Sequence, residues 1–256
     1  WLGDDAAGKA SLEQLSRSHV DSTLVKRQAR TASSTYYVLR YKAERTILVK
    51  NEAYDYRWRA PKEEPDWIYL SLISKDSWQL HRDLLEYLDA HPSVKLAFQP
   101  GTFHFAWGVK KLARIYRRAD ILVLNREEAM QVTGKPHAPI SGLIEGLHAL
   151  GPSYVVVTDG ADGSYASHDG KVWRVSNYPD PAKPLDRTGA GDAFASTIVA
   201  ALALGEPFAV GLSWAPINSM SVVQKLGAQE GLLERATIQK LLDAAPSTYK
   251  TEEYTE

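Results

Sequence analysis

Four short, predominantly apolar runs, at residues 67–70, 94–98, 121–124 and 154–157, recur along the chain with helix-patterned segments between them. A run of four or five apolar residues bounded by polar turns reads as a strand buried on both faces. The intervening segments carry apolar residues three and four apart. One has Trp78, Leu84, Leu85 and Leu88 behind Asp76 as a candidate cap; the next has Val109, Leu112, Ile115 and Tyr116; a third has Leu143, Ile144 and Leu147. Strands alternating with helices build βαβ units, which close on a sheet with helices over its faces. The expectation is an α/β chain with a mostly parallel central sheet. In open sheets of this kind ligands bind beyond the carboxyl ends of the strands, which singles out residues 99–102, 125–128 and 158–163.

Two segments break the rhythm. Residues 36–41 and 45–49 are β-prone and joined by Lys42-Ala43-Glu44, a hairpin signal, followed by an aromatic extended stretch from Tyr54 to Trp58. Residues 164–175 carry Asp169-Gly170 at their centre, the sign of a second hairpin. Ser11 with Gln14 reads as a capping box opening a helix over 12–18. Further helices are expected over 192–204, closed by Gly205, and over 215–225 and 237–244, with a loose polar tail over 247–256.

Composition removes several classes of function. Thirty basic residues against 31 acidic ones give a net charge of -1, so nothing asks for nucleic acid or an anionic membrane. The absence of cysteine excludes disulfides and thiolate zinc sites. The seven histidines show no metal-ligand spacing. No apolar run reaches the length of a membrane span and no leader pattern opens the chain, so a cytoplasmic protein is expected. Residues 3–10 nearly spell a phosphate-binding loop, but Ala10 stands where a hydroxyl is required, and Asp4 and Asp5 would repel phosphates.

The segment that carries chemistry is Asp186-Arg187-Thr188-Gly189-Ala190-Gly191-Asp192-Ala193-Phe194, just ahead of a long apolar helix. Gly189, Ala190 and Gly191 let backbone N–H groups approach an anion, and a helix N-terminus adds unpaired donors and the positive end of its dipole. Asp192 lies within this cradle, placed to take a proton from an attacking hydroxyl. The plainer reading is that Asp192 caps the helix. Likewise Asn125 reads as a strand-end turn former and Glu128 as a first-turn residue of a helix.

The nine-residue segment resembles the signature of ribokinase-like (PfkB) carbohydrate kinases. Asn125-Arg126-Glu127-Glu128, residues 157–163, residues 227–231 and the early Gly3-Asp4-Asp5-Ala6-Ala7-Gly8 with Val20-Asp21 resemble further motifs of that family, in the same order. The resemblance implies a three-layer α/β/α fold and ATP-dependent transfer of a phosphoryl group to a sugar or nucleoside. It makes Asp192 the catalytic base and Gly189, Ala190 and Gly191 the anion hole. Asn125 and Glu128 would organise Mg²⁺ and phosphates, largely through water. Thr158, Gly160 and Gly163 would line the nucleotide, with Asn218, Gly227 and Ala228 on the adenine side. Asp186 and Thr188 match positions that hold a monovalent cation such as K⁺ in some members, and Asp5 is a remaining candidate for a substrate contact. The α/β domain would comprise residues 1–30 and 60–246. Residues 31–59 would form a small β lid whose aromatics stack on a sugar or pair two copies in a homodimer.

The chain departs from that pattern at its start. The family's first strand, a substrate-binding Asp and a Gly-Gly…Asn segment precede the turn found here at Gly3, and the chain opens on Trp1 rather than Met. An N-terminally truncated member is the expectation. Residues 99–102 stand where fructokinase-like members often show an Asn-x-Arg pattern, which makes a phosphorylated or fructose substrate slightly less attractive. A nucleotide-binding protein that no longer transfers phosphate is the competing reading.

Overall fold

Gly3 opens the fold with a contact that excludes any side chain. A Cβ there would sit 2.3 Å from the backbone of Thr31 and Ala32, so only glycine lets β1 (Leu2–Gly3) lie parallel to β2 (Arg27–Gln28). Asp5 follows as the cap of α1 (Ala6–Arg17), accepting from Gly8 N at 2.9 Å, Ser33 N at 2.8 Å and Ser33 Oγ at 2.7 Å. The helix therefore starts ahead of the expected Ser11–Gln14 box. Ser11 is already helical and donates its hydroxyl to Ala7 O. Asp5 wins because its two oxygens satisfy the helix end and the Ser33 turn together.

The computed structural model describes residues 1–41 and 44–255. Its contacts divide the chain into two units, Trp1–Pro65 with Ile73–Pro92, and Asp66–Leu72 with Ser93–Glu256. In the first unit β3 (Thr35–Tyr41) and β4 (Glu44–Lys50) form the expected hairpin, in register from Thr35↔Lys50 to Tyr41↔Glu44. The expected connector residues Lys42 and Ala43 lie outside the described residues. Tyr36 and Tyr37 are exposed on this hairpin. Tyr54 and Tyr56, grouped with them in the sequence, are instead core residues packed with Leu80, Trp1 and Ile73. The Tyr54 hydroxyl donates to Ala32 O at 2.6 Å, which satisfies its polar end inside the core. Helix α2 (Trp78–Ala90) completes this unit; its N-cap position is Ser77 rather than Asp76.

The second unit is built on one seven-stranded sheet. Strands β5 (Trp67–Leu70), β6 (Lys95–Phe98), β7 (Ile121–Asn125) and β8 (Tyr154–Thr158) are the four apolar runs, and they pair in parallel. Beyond β8, strands β9 (Ser164–His168), β10 (Lys171–Val175) and β11 (Thr251–Glu253) continue the sheet by antiparallel pairing. Among the described strands of this sheet, β9 and β11 run against the common direction. Asp169 and Gly170 make the two-residue turn between β9 and β10, with His168 opposite Lys171. The tail expected to be loose supplies β11. Strand β10 would otherwise end the sheet with unpaired backbone groups, and Tyr254 N donates to Val172 O at 2.7 Å to extend that cover.

Helices cover both faces: α3 (Thr102–Trp107), α4 (Val109–Arg118), α5 (Arg126–Thr133), α6 (Ile140–His148), α7 (Ala190–Ala203), α8 (Phe208–Val223) and α9 (Arg235–Asp243). Alternation along the strands sets the faces. Ala97, Ile121, Val123 and Val156 pack with Ala195 and Ile198 of α7 and Leu212 and Ala215 of α8. The intervening residues point the other way, where Phe98 meets Tyr116 of α4 edge-on at 5.4 Å. This is a three-layer α/β/α arrangement. Helix α8 begins at Phe208, well before the expected residue 215, and runs through Pro216. Pro216 forfeits one helical hydrogen bond, but Ala215, Pro216 and Ile217 are all buried, and burial of Ile217 alone, at about 1.5–3 kcal/mol, offsets much of that loss. Among the described residues no helix is long and apolar enough to cross a membrane.

Candidate functional site

The start of α7 shows what Asp192 does and does not do. The N-cap position is Gly189, and Asp192 is the third helical residue, exposed and making no capping bond. The simple cap reading therefore fails. The Asp192 Oδ1 instead accepts from Gln99 Nε2 at 3.0 Å. Gln99 stands just past the carboxyl end of β6, its backbone N–H bonded to Leu70 O at 2.9 Å, and its Oε1 accepts from the Tyr69 hydroxyl.

The turn into α7 is held by close packing. Gly189 has φ +81°, and a Cβ on it would lie 2.6 Å from Ala228 Cβ and 2.8 Å from Ala228 Cα. The Asp186 Oδ1 accepts from Thr188 N at 3.0 Å and Thr188 Oγ1 at 2.8 Å, and its Oδ2 accepts from Gly227 N at 3.3 Å. Asp186, Thr188, Gly189, Gly227 and Ala228 thus form one buttress, with the first-turn N–H groups of α7 presented beyond it.

Asn125 and Glu128 meet as a reciprocal capping box at the end of β7. The Asn125 Oδ1 accepts from Glu128 N at 2.8 Å, and the Glu128 Oε2 accepts from Asn125 N at 2.9 Å. The local roles expected of a turn former and a first-turn residue are therefore present. Burial pushes the Glu128 carboxyl above its ordinary value, the Asn125 N–H opposes this, and the charges of Glu127 and Asp192 add to it. In the adjacent strand Thr158 is registered opposite Asn125, and Asp159 takes an ion pair from Arg126 at 2.6 Å.

A cavity of about 410 Å³ opens beside these elements. Its lining includes Thr158, Gly160 and Gly163 together with Arg187, Ala190 and Gly191. Three expected nucleotide residues and two of the expected anion-hole residues therefore share one cavity. Asn218 does not line it. It is buried, its Nδ2 donating to Thr197 Oγ1 at 2.8 Å and its Oδ1 accepting from Leu233 N at 2.9 Å, so its amide ties α7 and α8 to the chain ahead of α9. Gly227 and Ala228 lie behind the α7 turn rather than in the lining. Asp5 belongs to the first unit, in the capping role described above. Arg187, Asn177 and Tyr69 were not among the expected site residues, and Gln99 was expected only as one of the strand-end positions 99–102, with no role of its own. Asn177 also lines the cavity and donates from Nδ2 to Gly160 O at 2.8 Å, holding the turn that opens β9. Arg187 lies inside the motif without an assigned role, and Asn177 and Tyr69 carry no local signal.

A family model described as pfkB family carbohydrate kinase matches residues 1–235. The chain is 27% identical over 157 residues to 5-dehydro-2-deoxygluconokinase of Bacillus licheniformis, a match covering 59% of this chain and 48% of that protein. It is 26% identical over 247 residues to ribokinase of Bacillus subtilis, covering 94% of this chain and 79% of that protein. The match thus spans about half the length of the first relative. The solved fructokinase of Vibrio cholerae, in its fructose, ADP and calcium ion bound form, superposes with a TM-score of 0.79 at 21% identity, covering 94% of this chain and 83% of that one. At that identity the likeness is one of fold, and the fold is the ribokinase-like one. With the family match running through both units, the chain belongs to the pfkB family of carbohydrate kinases.

Proposed function

We propose that this chain transfers the γ-phosphate of ATP to a hydroxyl of a sugar or nucleoside, with Asp192 as general base. The observation that carries this reading is the Asp192 carboxylate, uncapped and exposed on the first turn of α7, next to glycine-turn residues that line the cavity. The acceptor oxygen attacks the γ-phosphorus, the bond to the β–γ bridging oxygen breaks, ADP leaves, and the hydroxyl proton passes to Asp192. The first-turn N–H groups at Ala190 and Gly191 meet the developing charge on the equatorial oxygens. Arg187, exposed and lining the same cavity, adds a cation for the nucleotide phosphates.

Mg²⁺ fits this arrangement as an ion carried mainly by phosphate and water. Among the described residues no group of three or more potential metal-binding side chains occurs, and Mg²⁺ characteristically takes one or two carboxylates with the substrate phosphates. Glu128, held by Asn125, is the carboxylate for it. When bound, the ion neutralises charge that develops on the phosphates. We assign a monovalent cation such as K⁺ to Asp186 and Thr188, whose carboxylate and hydroxyl oxygens are brought together by the hydrogen bond from Thr188 Oγ1 to Asp186 Oδ1. Rates in K⁺ against choline salts test that assignment. We assign the β3–β4 hairpin, with Tyr37, Leu39 and Leu48 each more than half exposed, to the lid and to pairing with a second copy, tested by sedimentation at several concentrations. The ATP that this reaction would draw on supports assigning the protein to the cytoplasm.

A panel of pentoses, hexoses, keto-sugars and nucleosides with coupled ADP detection tests the activity. Turnover of at least one acceptor is expected. ATP binding without transfer to any of them would instead support a nucleotide-binding protein that is not a kinase.

A further inference from the structure

The base itself has a support that no family motif supplies. Past β6 the chain reads Gln99-Pro100, and a residue before proline is restricted to extended backbone. The Gln99 N–H is bonded to Leu70 O, and Leu70 is registered opposite Phe98, so Gln99 projects from a fixed point of the parallel sheet. Its amide bridges two groups of opposite need. The Tyr69 hydroxyl donates to Oε1, and Nε2 donates to Asp192 Oδ1 at 3.0 Å. Turning the amide over would set Oε1 against a carboxylate oxygen and leave the phenol facing an N–H, so chemistry permits one orientation. Burial, with the Asp192 charge adding to it, holds the Tyr69 phenol well above its ordinary value, and it stays a donor throughout the working range. The other ionisable group that senses Asp192 is the Glu128 carboxyl.

We infer that Gln99 and Tyr69 are positioning residues for Asp192: the amide anchors Oδ1 and leaves Oδ2 for the acceptor hydroxyl. Among the described residues Oδ2 has no hydrogen-bond partner in the protein. A carboxylate on the first turn of a helix has rotameric freedom, and one charge-assisted hydrogen bond removes most of it without occupying the oxygen that must receive the proton. Tyr69 acts one bond further back: the carboxylate, which can only accept, decides which end of the amide faces it, and the phenol holds the other end in place. The inference rests on the proposed role of Asp192 as base.

The test is a mutant cycle in the whole chain, with the best acceptor from the panel, or water as acceptor if no alcohol turns over. Gln99→Met keeps length and removes the amide; Tyr69→Phe removes a single oxygen. Each is made alone and together with Asp192→Asn. Gln99→Met is expected to lower kcat by roughly 10- to 100-fold with KM for ATP within about twofold, and Tyr69→Phe to lower kcat by roughly three- to tenfold. On the Asp192→Asn background neither change should lower the residual rate further, because groups acting through one another are not additive. The inference is overturned if both single variants keep full kcat, if the loss appears in KM for ATP alone, or if it adds in full to that of Asp192→Asn. Should Gln99→Met fail to fold, Tyr69→Phe decides alone. Full turnover by Asp192→Asn itself would remove the base assignment, a separate failure from a Gln99 effect that is absent while Asp192 proves essential.

Discussion

Replacing Gly189 by alanine probes the turn on which the whole site depends. Two costs apply. At φ +81° a side chain enters left-handed backbone space, a penalty of about 1–2 kcal/mol. The new Cβ would also meet Ala228 Cβ at 2.6 Å, Cα at 2.8 Å and O at 3.0 Å, and overpacking of that kind costs about 1–3 kcal/mol. Together Gly189→Ala should destabilise the second unit by about 2–5 kcal/mol. The two costs separate in a second variant. Ala228→Gly removes the nearest contact but leaves the Cα and carbonyl contacts and the backbone penalty, so it should recover only about 1 kcal/mol of the loss. Urea unfolding followed by tryptophan fluorescence measures both. A fully stable Gly189→Ala chain, or complete rescue by Ala228→Gly, would refute the argument from close packing.

Other regions answer to simpler perturbations. Arg187→Ala should raise KM for ATP about tenfold and flatten its dependence on salt, with melting unchanged, since Arg187 is exposed and lines the cavity. Asp5 gives an acid-dependent signal. The Ser33 and Gly8 donors bring its carboxyl from an ordinary 3.8 down to about 2, so its contribution is complete above the ordinary value and is lost as pH falls from about 4 through about 2. Melting temperature against pH should fall less steeply over that interval in Asp5→Asn than in the parent chain. Ending the chain before Thr251 should expose the β10 edge, lower the melting temperature and promote concentration-dependent association, readable by light scattering.

The parts of this molecule that were legible in its sequence are those with local physical causes. Residues 121–124 and 154–157 could only be strands buried on both faces, and they lie at the centre of the sheet. Gly189-Ala190-Gly191-Asp192 was legible because a glycine turn before a long helix has few other uses. What stayed hidden depended on distance or on burial. Strand β11 reads Thr251-Glu252-Glu253, with no apolar alternation to announce it, and it exists because β10 leaves an edge to cover. The early turns of α8 were masked by Pro216, whose cost is visible locally while the burial that offsets it is not. Asn218 looked like a nucleotide contact because nothing near it in sequence discloses Thr197 and Leu233 as its partners. Gln99 was read as a strand-end position and as a departure from a family pattern, not as a partner of Asp192. Its bond to Asp192 joins residues 93 positions apart and follows from the sheet's register.

The central claim is that Asp192 accepts the proton of the attacking hydroxyl at the N-terminus of α7. The most direct measurement pairs coupled ADP release with calorimetric ATP binding in Asp192→Asn, a substitution that keeps the side chain's size and its place on the helix. The account predicts a fall in kcat of about 10³-fold or more with ATP affinity within about threefold of the parent chain. Undiminished turnover with ATP binding intact would contradict it.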